Sequence, residues 1–557
     1  MSAGNTRDEI FLAREGLRPS ISTNLSTISN WCEYGIWGMT LHDDQSPWFT
    51  LVECLQVIHS QGTKGGDVFP GLSKDKDGRS VHEHVRYSVP MNMNLRHLLF
   101  RDKEVARLTE RKRPDEGPLW RELTEKAASI DKRHQIDLGY LQQSFGEFGK
   151  LAKTIDVLRA AEVESAFVER WTSRHLLPLG PSMLFADVSD ANLKPDKRVF
   201  RRTGEMLFLM LNRARDGVRQ DLERLVVNRI VKLRHPLNGL SERLAAPKWD
   251  KGSAGGSLDF ATGYLPVPSM SVYDELASDW VALLSLERAH LEDLLDPLMR
   301  LSSLHLLNYV IHRGWAETGS AAPPPPMVFD LTGMSRRNPV QRLAADQYEY
   351  HRKLPQRAAE ALVDRFAEGQ EWTKILTEHT GPEKAYGQIR SRFLFPKEKG
   401  GQPIGTMYPE PERQRQRIVA DFMGASSHSV WSFMASHGRR AGMVMARQKA
   451  GTWYSPNENF LEALVLANVT KPQEFGRFLS RLYERYGIVI GDEQAKLAFP
   501  DTHMSMEPFK ANQTRLEDRL AVLGYIDRKS DDCAFVRNPY YRAGDAGRAS
   551  RRAEVTA

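Results

Sequence analysis

The stretch 508-PFKANQTRLEDRLAVLGYIDRKSDDCAFVRNP-539 decides the fold of the C-terminal part of the chain. Its first half has Phe509, Leu516 and Leu520 at helical spacing, which predicts an amphipathic helix. Gly524 follows as a natural C′ residue. The rest, YIDRKSDDCAFVRNP, is typical of a strand, a polar turn and a second strand. A helix followed directly by a hairpin is the order in which a winged helix ends.

Further helical segments precede this stretch, at 458–467, 472–485 and 492–498. Before them, segments 412–423 and 427–436 run into GRRAGMVMARQKAGTWYSP (438–456), where two β-branched and aromatic runs surround a glycine turn. The order of helices followed by a hairpin therefore occurs twice. We predict a mainly α-helical chain that ends in tandem winged-helix-like modules, 412–456 and 457–540, followed by a flexible tail, 541–557.

The helix before the wing enters the major groove in helix-turn-helix folds, so its polar side chains would face bases or phosphates. In the second module these candidates, with those of the wing, are Lys510, Asn512, Gln513, Arg515, Arg519, Arg528, Lys529 and Arg537. In the first module they are Arg439, Arg440, Arg447 and Lys449. Glu517 and Asp518 on the reading helix argue against tight groove contact, and many winged helices only dock on other proteins. Both interpretations stay open.

Four strings in this region carry a resemblance to known proteins: HGRRAGMVMARQKAGTWYSP, ENFLEALVLANV, YERYGIVIG and NQTRLEDRLAVLGYIDRKSDDCAFVRNP. They resemble uncharacterised proteins encoded beside DNA methyltransferases in bacterial phage-defence islands of the methylation-associated and BREX-like kinds. The resemblance lies in the C-terminal quarter and transfers no catalytic residues. It implies a component of a multi-protein system against foreign DNA, with DNA and other subunits of that system as partners.

A second candidate for DNA contact lies at 194–234, where twelve Lys and Arg face five acidic residues. This excess of seven positive charges is larger than the net charge of the whole chain, +6. Apolar residues recur at helical spacing, so we predict two helices with basic outer faces that could follow a phosphate backbone. The candidates are Arg201, Arg202, Arg213, Arg215 and Arg219. The alternative is a solvated surface with ion pairs between neighbouring turns.

Length and composition indicate several folded domains. The chain has 557 residues, of which 41% are hydrophobic and 27% charged, as in ordinary globular proteins. We predict an N-terminal helical region (1–250), a central helical scaffold (258–322) and a helical connecting region (327–411), with four prolines at 323–326 as a boundary. Ser46-Pro47 predicts the start of a helix, and Pro297 predicts another. No segment is apolar enough to span a membrane and no secretory signal is recognisable, so the expected location is cytoplasmic.

The motifs of common enzyme classes are missing from the sequence, including GxxxxGK[ST], GxGxxG and GxSxG. His82 and His84 with His42, Asp43 and Asp44 are only a weak metal site, so no cofactor is expected. The alternative to a binding protein is a metal-dependent nuclease, whose nearest candidates are Asp187, Asp190 and Lys194. Loop-stabilising roles explain these residues equally well. The sequence therefore favours a non-enzymatic DNA-binding or assembly component, with a nuclease or a pure interaction scaffold as alternatives.

Overall fold

A computed structural model describes the part of the chain that is discussed below. The described residues are 18–19, 28–74, 76–77, 80–82, 84–101, 116–130, 138–164, 170–189, 191–196, 198–245, 256–333, 338–367, 370, 374, 430–448, 451–501, 504–530 and 533–541. Within them the protein is mainly helical, with a few small sheets, as predicted. No helix of this part combines the length and the apolar character that a membrane span requires.

The helices are named in chain order. In the first half they are α1 (Ile28–Trp37), α2 (Pro47–Gly62), α3 (Met93–Arg96), α4 (Gly117–Ile130), α5 (Tyr140–Phe145), α6 (Phe148–Ala160), α7 (Thr203–Asn212), α8 (Asp216–Val226) and α9 (Pro236–Leu244). In the second half they are α10 (Ser271–Leu284), α11 (Leu291–Glu317), α12 (Pro339–Ala367), α13 (Val430–Ala441), α14 (Glu458–Asn468), α15 (Phe475–Tyr486), α16 (Asp492–Ala498) and α17 (Glu507–Val522). Short π-helical turns follow α3 and α8, at His97–Arg101 and Val227–Val231.

The strands are short. They are β1 (Arg18–Pro19), β2 (Ser73–Lys74), β3 (Ser80–His82), β4 (Arg86–Pro90), β5 (Glu162–Val163), β6 (His175–Leu176), β7 (Ser257–Ala261), β8 (Met327–Val328), β9 (Val444–Arg447), β10 (Gly451–Tyr454), β11 (Gln473–Glu474), β12 (Ile488–Val489), β13 (Ile526–Ser530) and β14 (Cys533–Val536). In the described residues they form three-stranded sheets in the orders β1–β3–β2 and β11–β14–β13, and the pairs β4–β7, β5–β6, β8–β12 and β9–β10.

The long helix α11 is the centre of the fold. It packs against α1 and α2 from the N-terminal part, α10 and α12 from the middle, and α13 and α14 from the C-terminal part. Its side chains are buried on nearly every side, which is typical of a helix surrounded by protein. The prediction that Pro297 opens a helix was wrong, because α11 begins at Leu291 and continues through the proline. The start of α2 was predicted correctly, since Ser46 Oγ accepts a hydrogen bond from the backbone N of Phe49 at 3.3 Å.

One continuous cluster of buried apolar residues runs from Cys32 to Val536. A smaller cluster surrounds Trp453 and Phe509 and joins β8, α12, β10, β12, α16 and α17. Val328 and Val489 meet in this second cluster through the parallel pair β8–β12. The four prolines at 323–326 therefore lead into a strand that pairs with the C-terminal part of the fold.

The C-terminal elements follow the predicted order closely. The two hairpins, β9–β10 and β13–β14, are confirmed, and α16 has the predicted bounds. Helices α14, α15 and α17 begin and end within three residues of the prediction, whereas α13 lies several residues later than the predicted 427–436. The predicted helix at 412–423 and the tail at 542–557 lie outside the described residues.

Candidate nucleic-acid interface

The first of the two predicted basic helices, α7, has no face that is exposed to solvent. All ten residues of α7 are buried, because its apolar residues surround the helix and pack against α2 and α10. Arg213, directly after α7, is also buried, and its Nη1 donates to the carbonyl oxygens of Leu265 at 2.9 Å and Val267 at 2.5 Å. Burial lowers the pKa of Arg213. The guanidinium of Arg213, a candidate DNA contact, therefore lies inside the fold and not on its surface.

The start of α7 is held by a buried glutamate of α2. Glu53 accepts hydrogen bonds from the backbone N of Gly204 at 2.7 Å and of Arg202 at 3.1 Å. A Cβ on Gly204 would lie 2.5 Å from the Cβ of Glu53, so the two helices can approach this closely only at a glycine. Arg202 Nε donates to Glu205 at 2.8 Å, and Arg201 pairs with Asp44 at 2.5 Å. Arg201 and Arg202, both candidate DNA contacts, therefore form ion pairs with acidic residues of the same chain.

The second basic helix, α8, is amphipathic as predicted, but acidic neighbours balance its cations. Arg219 pairs with Asp216 and Arg224 with Asp221, at 2.8 and 2.9 Å and three residues apart. Arg215 lies 3.9 Å from a carboxylate oxygen of Asp274. The alternative interpretation, a solvated surface with ion pairs between turns, fits α8 better than a surface that follows DNA.

Two of the three nuclease candidates, Asp187 and Lys194, lie in the described part of the chain and have different surroundings. Asp187 is buried, and its carboxylate accepts hydrogen bonds from Ser173 Oγ at 2.6 Å and from the backbone N of Arg198 and Val199 at 2.7 and 3.1 Å. Asp187 therefore stabilises its own loop, while Lys194 is exposed and Asp190 lies outside the described residues. His84 Nδ1 is hydrogen-bonded to Thr262 O. No group of three or more His, Cys, Asp or Glu that could hold a metal ion occurs in the described part of the chain.

The predicted reading helix, α17, turns one of its candidates inward. Phe509, Asn512, Leu516 and Leu520 are all fully buried on the inner face. The side chain of Asn512, a candidate for reading DNA, is buried and makes three hydrogen bonds to backbone groups of this chain. Gln513 packs against Gly491, where its Oε1 occupies the space that a Cβ would fill.

The remaining polar residues of α17 and of the hairpin after it are mostly paired with acids. Lys510 pairs with Glu507, Arg519 with Glu458, Arg528 with Glu517 and Lys529 with Asp527, at 3.1, 2.7, 2.9 and 2.7 Å. Arg537 Nε donates to Gly524 O at 3.3 Å, and Arg515 is exposed. Helix α17 carries three basic and three acidic residues, so its net charge is zero. A helix without net charge is poorly suited to a phosphate backbone.

The candidates of the first predicted module lie on a different surface, together with residues that the sequence did not single out. Helices α12 and α13 and the hairpin β9–β10 pack against one another. We call the basic residues of these elements, with their half-buried rings, the arginine–aromatic surface; its members are Arg342, Tyr350, Arg352, Lys353, Arg357, Trp431, Arg439, Arg440 and Arg447. Helix α12 also carries the exposed Asp346 and the half-buried Glu349 between Arg342 and Lys353. Lys449 lies outside the described residues.

Several cations of this surface lack an acidic neighbour. Among the described residues, no carboxylate lies within ion-pairing distance of Arg342, Arg357, Arg439 or Arg447. Arg439 Nε donates only to Ala435 O, at 3.2 Å, within its own helix. In contrast, Glu349 pairs with Arg352 at 2.8 Å and with Lys353 at 3.4 Å, and Glu164 lies 4.0 Å from Arg440. The surface therefore carries more positive than negative charge.

Aromatic rings lie between these cations. The Arg352 guanidinium is 6.0 Å from the ring centre of Trp431, and the Arg357 guanidinium is 4.4 Å from that of Tyr350. The Tyr350 ring also lies 6.2 Å from that of Trp315, at the end of α11. The pair Arg352–Trp431 joins residues that are far apart in sequence, so periodicity could not reveal it. The run HRKLPQR (351–357) was the available signal on α12.

Two comparisons with known proteins were negative. No protein-family model matches the chain. No curated protein matches its sequence significantly.

Proposed function

We propose that the protein is a non-enzymatic DNA-binding component of a bacterial defence or DNA-modification system, and that it contacts DNA through the arginine–aromatic surface. The observation that carries the proposal is a set of exposed arginines for which the described part of the chain provides no acidic partner: Arg342, Arg357, Arg439 and Arg447. Each such cation can neutralise a phosphate without first breaking an ion pair, and each contact releases condensed counterions. The role in defence comes from the C-terminal resemblance alone.

A salt titration tests this proposal. Binding of labelled DNA is followed by fluorescence anisotropy between about 50 and 200 mM salt, and log K is plotted against log salt concentration. The triple variant Arg342→Ala, Arg439→Ala and Arg447→Ala should bind more weakly, with a slope about 2 to 3 units shallower, since each lost phosphate contact removes about 0.7–0.9. Unchanged affinity and slope would refute the assignment.

The matched control changes three exposed arginines elsewhere: Arg215, Arg224 and Arg234, each to Ala. Arg215 lies directly before α8, Arg224 on it and Arg234 after it. Three arginines are removed in each variant, so both lose the same charge. We expect its DNA binding to be close to that of the wild type. A larger loss in the control than in the first variant would return the interface to the basic segment 194–234. Cleavage of the DNA in the presence of Mg²⁺ would instead favour the nuclease alternative.

A second role, protein docking, is favoured for the C-terminal elements. The three-stranded sheet β11–β14–β13 and helices α14, α15 and α17 support a winged-helix-like module here, and many winged helices dock on other proteins. The balanced charge of α17 favours docking on another subunit over groove binding. Val522 at its end is 89% exposed and Leu497 on α16 is 68% exposed, so both apolar side chains are accessible to a partner.

Co-purification tests the docking role. The chain is co-expressed with the proteins encoded by its neighbouring genes, and any complex is isolated through a tag on the chain. Val522→Asp and Leu497→Asp together should abolish the association and leave the thermal stability nearly unchanged, because both side chains are exposed. An intact complex with the double variant would exclude this surface.

A further inference from the structure

The arginine–aromatic surface combines unpaired cations with aromatic rings at the protein surface, and this combination indicates the form of DNA that it takes. We infer that it binds single-stranded DNA in preference to duplex, with unpaired bases stacked against Trp431 and Tyr350 and the neighbouring arginines on the phosphates. The inference rests on the proposed DNA-binding function and specifies its substrate.

The rings are positioned to meet bases. Trp431 lies at the start of α13 and Tyr350 on α12, and each ring is half-buried, so part of it faces solvent. Aromatic side chains beside a positively charged groove are the usual platform for single strands, because every base has a stacking face. The arginines at 6.0 and 4.4 Å from the two rings can contribute further, since a guanidinium plane also stacks on bases.

The indole N–H of Trp431 is a further sign that a ligand completes this surface. Among the described residues its Nε1 has no hydrogen-bond acceptor, although the atom is shielded from solvent. Tryptophan N–H groups that are removed from water usually find an acceptor.

Duplex DNA would leave these rings unused. In a duplex both faces of each base are covered by neighbouring bases, so a protein ring can stack only on an unpaired or unstacked strand. Reading of the major groove requires a helix or a two-stranded ribbon that projects into it. Helices α12 and α13 both pack against α11, and β10 packs along α12, so each helix presents only one side to solvent.

The test compares three DNA molecules with the wild-type, full-length protein. They are an oligothymidine of about 20 nucleotides, an oligomer of the same length made of abasic sites, and a duplex hairpin. The abasic strand carries the same phosphates but no bases. We expect oligothymidine to bind about tenfold or more tightly than the abasic strand, since stacking of one base commonly contributes that factor. Equal binding of the two strands overturns the inference while the proposed DNA binding stands; no binding of any of the three overturns both.

Variants of the rings provide the second arm. Trp431→Leu and Tyr350→Leu should each weaken binding of oligothymidine several-fold and leave binding of the abasic strand unchanged, and Trp431→Phe should restore most of the loss. The matched control is Trp171→Leu, because Trp171 is also a half-buried ring with an arginine, Arg101, 5.0 Å from its centre. If Trp431→Leu lowers the affinity for both strands equally, its ring does not stack on bases. A variant that fails to fold leaves the wild-type comparison of strands decisive.

Discussion

The side-chain oxygen of Asn512 accepts a hydrogen bond from the backbone N of Leu331 at 2.7 Å, across 181 residues of sequence. Its amide nitrogen donates to the carbonyl oxygens of Phe329 at 2.8 Å and Ile490 at 2.9 Å. One asparagine on α17 therefore binds the chain just beyond β8 and beyond β12. The Asn512 side chain thus supplies hydrogen bonds to backbone groups that have no strand partner where β8 and β12 end.

Removal of the Asn512 side chain tests this structural role. Asn512→Ala should lower the free energy of unfolding by about 2–4 kcal/mol, because it leaves three buried backbone groups without a partner. The measurement is the midpoint of chemical denaturation. Gln513→Ala, at the half-exposed neighbour, should change stability by only about 0.5 kcal/mol. Equal effects of the two substitutions would show that the three hydrogen bonds contribute little.

The inner face of α17 provides a sharper comparison between neighbours. Leu516 is fully buried in the main apolar cluster, whereas Arg515 is exposed. Leu516→Asp should destabilise the protein by several kcal/mol, because it places an unpaired charge in the core. Arg515→Asp introduces the same side chain one position earlier and should leave the thermal midpoint nearly unchanged. Similar melting curves for the two variants would contradict the described orientation of the helix.

Local patterns in the sequence were sufficient to predict the C-terminal elements. The hairpin β9–β10 has β-branched and aromatic residues around a glycine, and α17 has a clear apolar stripe ending at Gly524. Both signals come from residues within one element, so they do not depend on the rest of the fold.

The burial of polar residues such as Arg213 and Asn512 could not be predicted in this way, because their hydrogen-bond partners are distant in sequence. Arg213 donates to carbonyl groups more than 50 residues away, and Asn512 to groups up to 183 residues away. The burial of α7 does have a local signature. Its run MLFLML is apolar all round, which is typical of a fully buried helix rather than of one with a basic outer face. The pair Arg352–Trp431 depends on the packing of α12 against α13 and has no local signature.

The pH dependence of stability should reveal the buried histidine His351. Its Nδ1 is hydrogen-bonded to Tyr454 OH at 2.8 Å and its Nε2 to Pro325 O at 3.0 Å, and burial lowers the pKa of His351 to about 4. The unfolded chain binds this proton near pH 6.5 and the folded chain only near pH 4, so His351 stabilises the fold above pH 6.5 and this contribution is lost as the pH falls towards 4. The loss should amount to about 3 kcal/mol at its limit.

Denaturation of the wild type and of His351→Gln at pH 7, 6, 5 and 4 measures this contribution. The variant cannot bind the proton at this position, so its deficit in stability should shrink as the pH falls. Histidines away from this site titrate equally in both proteins and cancel in the difference; His312, whose charge acts on His351, is removed from the comparison by making both proteins in a His312→Gln background. A deficit that stays constant with pH would show that His351 is not held neutral in the folded protein.

A pair of arginine substitutions should separate the interior from the proposed interface. Arg213 is 5% exposed and is held by the carbonyl oxygens of Leu265 and Val267, whereas Arg439 is exposed and bonds only within its helix. Arg213→Met should lower the free energy of unfolding by about 2–4 kcal/mol, since two buried carbonyl groups lose their donor, and leave the DNA affinity of the folded protein unchanged. Arg439→Met should do the reverse: stability within about 0.5 kcal/mol of the wild type, and a salt dependence of DNA binding that is shallower by about one unit. Both variants lose one positive charge, so a general effect of net charge would reduce DNA binding equally in the two, and that result would remove Arg439 from the interface.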